Sequence, residues 1–242
     1  MLMTPGLYRR WLIIAIAGSI CIPHAAAAAE YYIGFDVGSL AGDFGSTVDS
    51  KLYSFTLAGG LIAPVYDVSV SIPYMLQNND PGFDNEGVGD VLLQFGRTLM
   101  SEQDSGFSLS GSVLAKLPTA AEGLGTGELD TGLLLDFNQQ WPSSSGSLHA
   151  GYINVGDSAT INYNNSLVYG ASYYRTIGRF GNYLALEGST ATIDNVPNPL
   201  ALHIGSFYVL SLKNALTGSA IIGLNDGSPD FGLNLGLRHW FD

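Results

Sequence analysis

A lysine and two acids flank one loop of this sequence. Lys116 ends the segment GFSLSGSVLAKL, and Glu128 and Asp130 begin the segment ELDTGLLLDFNQQW. Between them lie Pro118, Thr119 and three glycines at spacing two, Gly123, Gly125 and Gly127. Both flanks alternate apolar and small polar residues, so the stretch is expected to be a β-hairpin with a medium loop. Lys116 shares its strand face with Ser108, Ser110, Ser112 and Leu114. Glu128 and Asp130 share theirs with Gly132, Leu134, Asp136 and Asn138. Antiparallel pairing then brings the lysine near both acids, just below the loop. Two chemistries suit that arrangement. One is a charged constriction that selects solutes. The other is an ion pair that pins the hairpin and satisfies a buried lysine. The residues alone leave both open. Asp90, Asp136, Glu187 and Arg238 are further charged candidates on the polar faces of their segments.

Other chemistries find little support. No helical pattern follows Gly127, so the loop glycines do not form a phosphate cradle. They are expected to supply positive φ in a tight loop. Serine hydrolysis needs a base beside the nucleophile. After the N-terminal segment the histidines are His149, His203 and His239, and none sits in a Gly-x-Ser-x-Gly or His-x-Ser arrangement. No histidines or acids show a convincing metal-ligand spacing. The expectation is a protein that is not an enzyme and uses no cofactor or metal. A lipid-hydrolysing barrel is the enzymatic alternative.

The elements that must position these side chains begin after a leader. Residues 1–29 read as a secretory signal: Arg9 and Arg10, an apolar run from Trp11 to Ile22, and small residues from Ala25 to Ala29. Residues 30–242 then form a single domain. Ile20 before Cys21 argues against a lipoprotein signal, and the chain's only cysteine leaves with the leader, which excludes disulfides and thiolate metal sites. The full chain carries a formal charge of −12, and loss of Arg9 and Arg10 makes the exported part more acidic still. That excludes nucleic acid as a partner. Charged residues make up 12%, against a soluble average of about 25%. Glycine, tyrosine, serine, asparagine and leucine take their place.

No apolar run after the leader is long enough for a spanning helix, so the chain must cross a membrane, if it does, as a closed barrel. Twelve strand candidates are legible, over 31–38, 52–63, 65–76, 88–99, 106–117, 128–141, 147–156, 166–175, 183–192, 200–210, 216–224 and 231–241. The face of the candidate over 147–156 is ambiguous. Long polar connections alternate with short turns, as in outer-membrane barrels with an even strand number and both termini in the periplasm. Tyr31, Tyr32, Tyr53, Tyr66, Tyr74, Trp141, Tyr173, Tyr183 and Trp240 lie near strand ends, where aromatic girdles belong. The expected fold is all-β: a transmembrane, antiparallel, up-and-down barrel of twelve strands in the bacterial outer membrane, in contact with its lipid and lipopolysaccharide.

Four stretches carry a resemblance. They are Ile72-Pro73-Tyr74, Gly87-Val88-Gly89-Asp90, Lys116-Leu117-Pro118-Thr119, and Gly123-Leu124-Gly125-Thr126-Gly127 with Asp130. In that order and spacing the chain resembles the MetA-pathway of phenol degradation family of outer-membrane proteins, over most of the exported part. The resemblance implies a barrel that passes small hydrophobic or aromatic molecules. The expected function is a passive, porin-like channel for such solutes. A structural or surface-interaction barrel without transport is the alternative. Excess interior acid would favour cations or neutral solutes over anions.

Overall fold

The computed structural model describes residues 29–45, 49–79, 84–101, 106–157 and 162–241. The proposed leader, except Ala29, lies outside them. The strands pair in antiparallel fashion with their neighbours around the sheet. They are β1 (Glu30–Gly42), β2 (Ser50–Ile62), β3 (Tyr66–Asn79), β4 (Asn85–Val88), β5 (Val91–Met100), β6 (Ser108–Leu117), β7 (Asp130–Trp141), β8 (Ser144–Asn154), β9 (Ser166–Ile177), β10 (Phe180–Ser189), β11 (Leu200–Ser211), β12 (Asn214–Gly223) and β13 (Phe231–Phe241). β1 also pairs with β13, from Tyr31 opposite Phe241 to Ala41 opposite Phe231. The sheet therefore closes and leaves no edge, as hydrocarbon requires.

β4 and β5 are two parts of one stave, so the barrel has twelve staves. Both pair with β3. Where they meet, three residues, Gly89, Asp90 and Val91, stand opposite two, Ile72 and Pro73, and form a bulge. Pro73 offers no N–H, and the ladder there is carried by Gly89 N–H donating to Pro73 O at 2.8 Å. The remaining strands match the sequence reading to within a few residues at each end.

Parity assigns the faces. Tyr31, Ile33, Phe35 and Val37 of β1 are exposed, as are Leu133 and Leu135 of β7 and Phe231, Leu233, Leu235 and Leu237 of β13. An apolar belt that broad on the outside of a closed sheet is a lipid-facing surface. The opposite residues point into the barrel. His149 and Ile153 are among them, which settles the face of β8: outward Leu148 and Tyr152 alternate with them.

Six of the nine aromatics expected in girdles are exposed on the outside: Tyr31, Tyr53, Tyr66, Tyr74, Trp141 and Tyr173. Tyr32, Tyr183 and Trp240 share the inward parity of their strands instead. Tyr183 is buried and covers Gly205 of the next strand, where a side chain would collide with its ring. Tyr32 covers Gly60 in the same way. Position near a strand end gives depth in the bilayer, whereas parity gives the face, and these three have the wrong parity for lipid.

One rim carries the short turns and both ends of the barrel chain. The other carries the long connections, which interlock. Ser228 and Leu200 exchange two hydrogen bonds, at 2.7 and 2.6 Å. Pro229 and Ser228 are fully buried. Inside, Leu114, Ile153, Val155, Tyr163 and Val168 form an apolar cluster, against which Leu134 and Ile193 pack. Tyr163 and Ile193 come from the long-loop rim, so loop residues close over the apolar wall made by β6 to β9.

Candidate functional site

The Lys116 centre is built by three strand ends. Lys116 lies directly across from Asp130 in the β6–β7 register. Its Nζ is 2.7 Å from Asp130 Oδ2, 3.2 Å from Asp90 Oδ2, and donates to Thr126 Oγ1 at 2.7 Å. An ammonium has three N–H donors, and three acceptors surround it. All three charged side chains are almost fully buried. The acids are committed as well. Asp90 Oδ1 accepts Ala120 N–H at 3.0 Å, and Asp130 Oδ1 accepts Gly156 N–H at 2.9 Å. Thr119 Oγ1 accepts Val91 N–H at 2.9 Å, while Ala121 N–H donates to Val88 O at 2.8 Å.

The result is a knot. The loop between β6 and β7 is tied back onto the Gly89–Asp90 bulge, with Leu124 and Thr126 buried beneath it. Gly125 sits against the Asp90 carboxylate, where any side chain would collide. Glu128 enters differently from the sequence expectation. It approaches through its backbone N–H, which donates to Thr126 Oγ1 at 3.3 Å, and the second carboxylate on Lys116 comes from Asp90.

A second charged group lies deeper in the barrel. His149 Nε2 is 2.9 Å from Glu187 Oε2. These residues belong to β8 and β10, with β9 between them. Gly170 of β9 pairs with both His149 and Glu187, and a Cβ there would collide with the imidazole and the carboxylate. The glycine is the opening through which the two side chains meet. Asp136 stands on the other side, directly across from His149 in the β7–β8 register. Asp136, His149, Gly170 and Glu187 thus form one row across four strands. Neighbouring His203 on β11 is buried, and its Nε2 has no hydrogen-bond partner.

Arg238 holds Asp36 instead, Nη1 to Oδ2 at 2.7 Å, far around the wall on β13 and β1. It lies across Gly34, where a Cβ would collide with the guanidinium. The sequence candidates therefore fall into three places: Lys116, Asp90 and Asp130 together, Asp136 with Glu187, and Arg238 apart.

Between the first two places lies a small cavity of about 50 Å³. Leu92, Leu114, Leu134, Ile153 and Val168 make its apolar wall, Lys116 and Asp130 border it toward the loop rim, and Gln94, His149 and Glu187 supply the other polar groups. Nothing in the local sequence pairs His149 with Glu187. The available signal was Gly170 within an otherwise bulky strand, a mark of close approach from neighbouring strands. Among the described residues no group of three or more His, Cys, Asp or Glu could hold a metal ion.

Solved structures share this architecture. An outer membrane channel from Pseudomonas putida F1 superposes with a TM-score of 0.72 at 16% identity, over 99% of this chain and 100% of that one. The fold is that of a bacterial outer-membrane β-barrel. The KdgM porin matches with a TM-score of 0.57 at 8% identity, over 86% of this chain and 99% of that one. The translocator domain of the autotransporter NalP from Neisseria meningitidis matches at 0.52 and 12%, over 97% and 99%. At such identities the likeness concerns fold alone. No family model and no curated protein sequence matches the chain. Within this barrel, the four stretches that carry the family resemblance come together: the bulge opposite Pro73, the KLPT turn, the glycine loop and Asp130 are all parts of the Lys116 knot.

Proposed function

We propose that this barrel is a passive outer-membrane channel for small hydrophobic or aromatic molecules, exported by a leader over residues 1–29 that is removed, and related to the MetA-pathway family it resembles. The observation that carries this reading is the aliphatic wall inside the barrel. A purely structural barrel of this size would fill its interior, and a water-filled porin would line it with polar groups. Here Leu92, Leu114, Leu134, Ile153 and Val168 face a cavity.

Passage would run from the loop rim, past the fixed β6–β7 loop, along this wall and out at the short-turn rim. The Lys116 knot holds the loop in place and leaves the wall accessible. Asp36, Asp67, Asp90, Asp130, Asp136 and Glu187 face inward against Lys116 and Arg238, so the interior favours cations and neutral solutes. Planar-bilayer conductance and uptake of aromatic solutes by cells lacking other porins test the proposal. Ion conductance with cation preference and faster uptake are expected. A barrel silent to ions that leaves aromatic uptake unchanged would instead be a structural or surface-interaction barrel.

A further inference from the structure

We infer that the cavity is a solute-binding station that selects apolar molecules of about one-ring size by a hydrogen-bond-donating group, hydroxyl or ammonium, and rejects the corresponding carboxylates. The inference deepens the channel reading and rests on it for its role in passage. The preference itself is a property of the cavity and is measured without transport.

Free donors are scarce around the cavity. Lys116 has given its three donors to Asp130, Asp90 and Thr126, so no N–H of this buried cation remains for a solute anion. His149 has given Nε2 to Glu187. His149 stands between two acids, Asp136 and Glu187, and Glu187 lines the cavity. A carboxylate entering here would leave water and meet like charge.

Acceptors, by contrast, are in surplus. Glu187 binds His149 through Oε2 and retains Oε1, which has no partner among the described residues. Gln94 donates to Ser112 at 3.4 Å and keeps its carbonyl oxygen. An alcohol O–H or an ammonium N–H satisfies these groups while its ring or chain lies on Leu114, Leu134, Ile153 and Val168. The cavity is small, about 50 Å³, so only a compact solute fits it.

The test uses three probes of equal shape and different charge: benzyl alcohol, benzylamine and benzoate. Ligand-observed saturation-transfer NMR is recorded on the barrel in nanodiscs, with empty nanodiscs subtracted. Benzyl alcohol and benzylamine should receive saturation, and benzoate should bind at least about tenfold more weakly, the factor that one lost charged hydrogen bond represents. Glu187→Gln should weaken benzylamine more than benzyl alcohol. Leu134→Trp should abolish both signals by filling the cavity. If that variant loses the heat-modifiable migration of a folded barrel, Val168→Phe adds bulk from β9 instead. Benzoate binding as well as benzyl alcohol, or alcohol binding unchanged by both a folded filling variant and Glu187→Gln, overturns the inference. A barrel that binds as expected but conducts nothing would refute the channel and leave the station standing.

Discussion

The barrel holds two buried ionic groups, and they differ in what surrounds them. At the loop rim, Lys116 is matched donor for acceptor, and its acids accept backbone N–H groups of the loops. Deeper in, His149 and Glu187 meet over a glycine, touch few other polar groups and face a cavity. Buried charges are costly to strand, so the first group is a structural joint whose loss is felt in stability. The second leaves acceptor capacity open, so its loss is felt in what the interior attracts. Saturation of hydrogen bonds, rather than burial alone, separates the two.

Breaking the knot should give the largest effect. Lys116→Met strands Asp90 and Asp130, and a loss of about 3–5 kcal/mol is expected for a buried pair with one partner removed. The readouts are the temperature at which heat-modifiable migration is lost and protease sensitivity of the loop between β6 and β7. A Lys116→Met barrel as stable as the parent would erase the distinction drawn above. Gly170→Ala comes next. It leaves every charge present but puts a methyl between His149 and Glu187, with overpacking expected to cost about 1–3 kcal/mol. Its cation-over-anion permeability ratio should shift, because both partners are pushed from their positions.

Glu187→Gln should cost less stability, about 1 kcal/mol, since one neutral hydrogen bond to His149 can remain. The cation-over-anion ratio should fall several-fold in reversal-potential measurements. A ratio unchanged in both Glu187→Gln and Gly170→Ala would remove the second group from the permeation path. The smallest effect is expected at Glu128. Its part in the knot is a backbone N–H, so Glu128→Gln should change stability by no more than about 0.5 kcal/mol.

Much of the fold was legible because a strand's period of two translates directly into faces. Alternation in ELDTGLLLDFNQQW placed Asp130, Asp136 and the leucines on the correct sides. The split of the expected fourth strand was not legible, because it depends on Pro73 of β3 lying opposite Gly89 and Asp90. Three of the nine girdle aromatics were assigned by depth when parity should have decided. For the site, Lys116 and Asp130 were found together because they are direct cross-strand neighbours in a hairpin. Asp90 was missed as their partner because it comes from another strand, across a bulge.

What the sequence by itself determined is therefore the barrel: the number of staves, the long and short rims, and the lipid-facing belt. These follow from local alternation and from the need of a closed sheet to leave no backbone group unpaired in hydrocarbon. Which interior charges meet was decided only by the tertiary structure. His149 reaches Glu187 across an entire intervening strand, and that requires the stagger of β8, β9 and β10 to bring Gly170 between them. A side chain's face is a property of its own strand. Its partner two strands away is a property of the closed sheet.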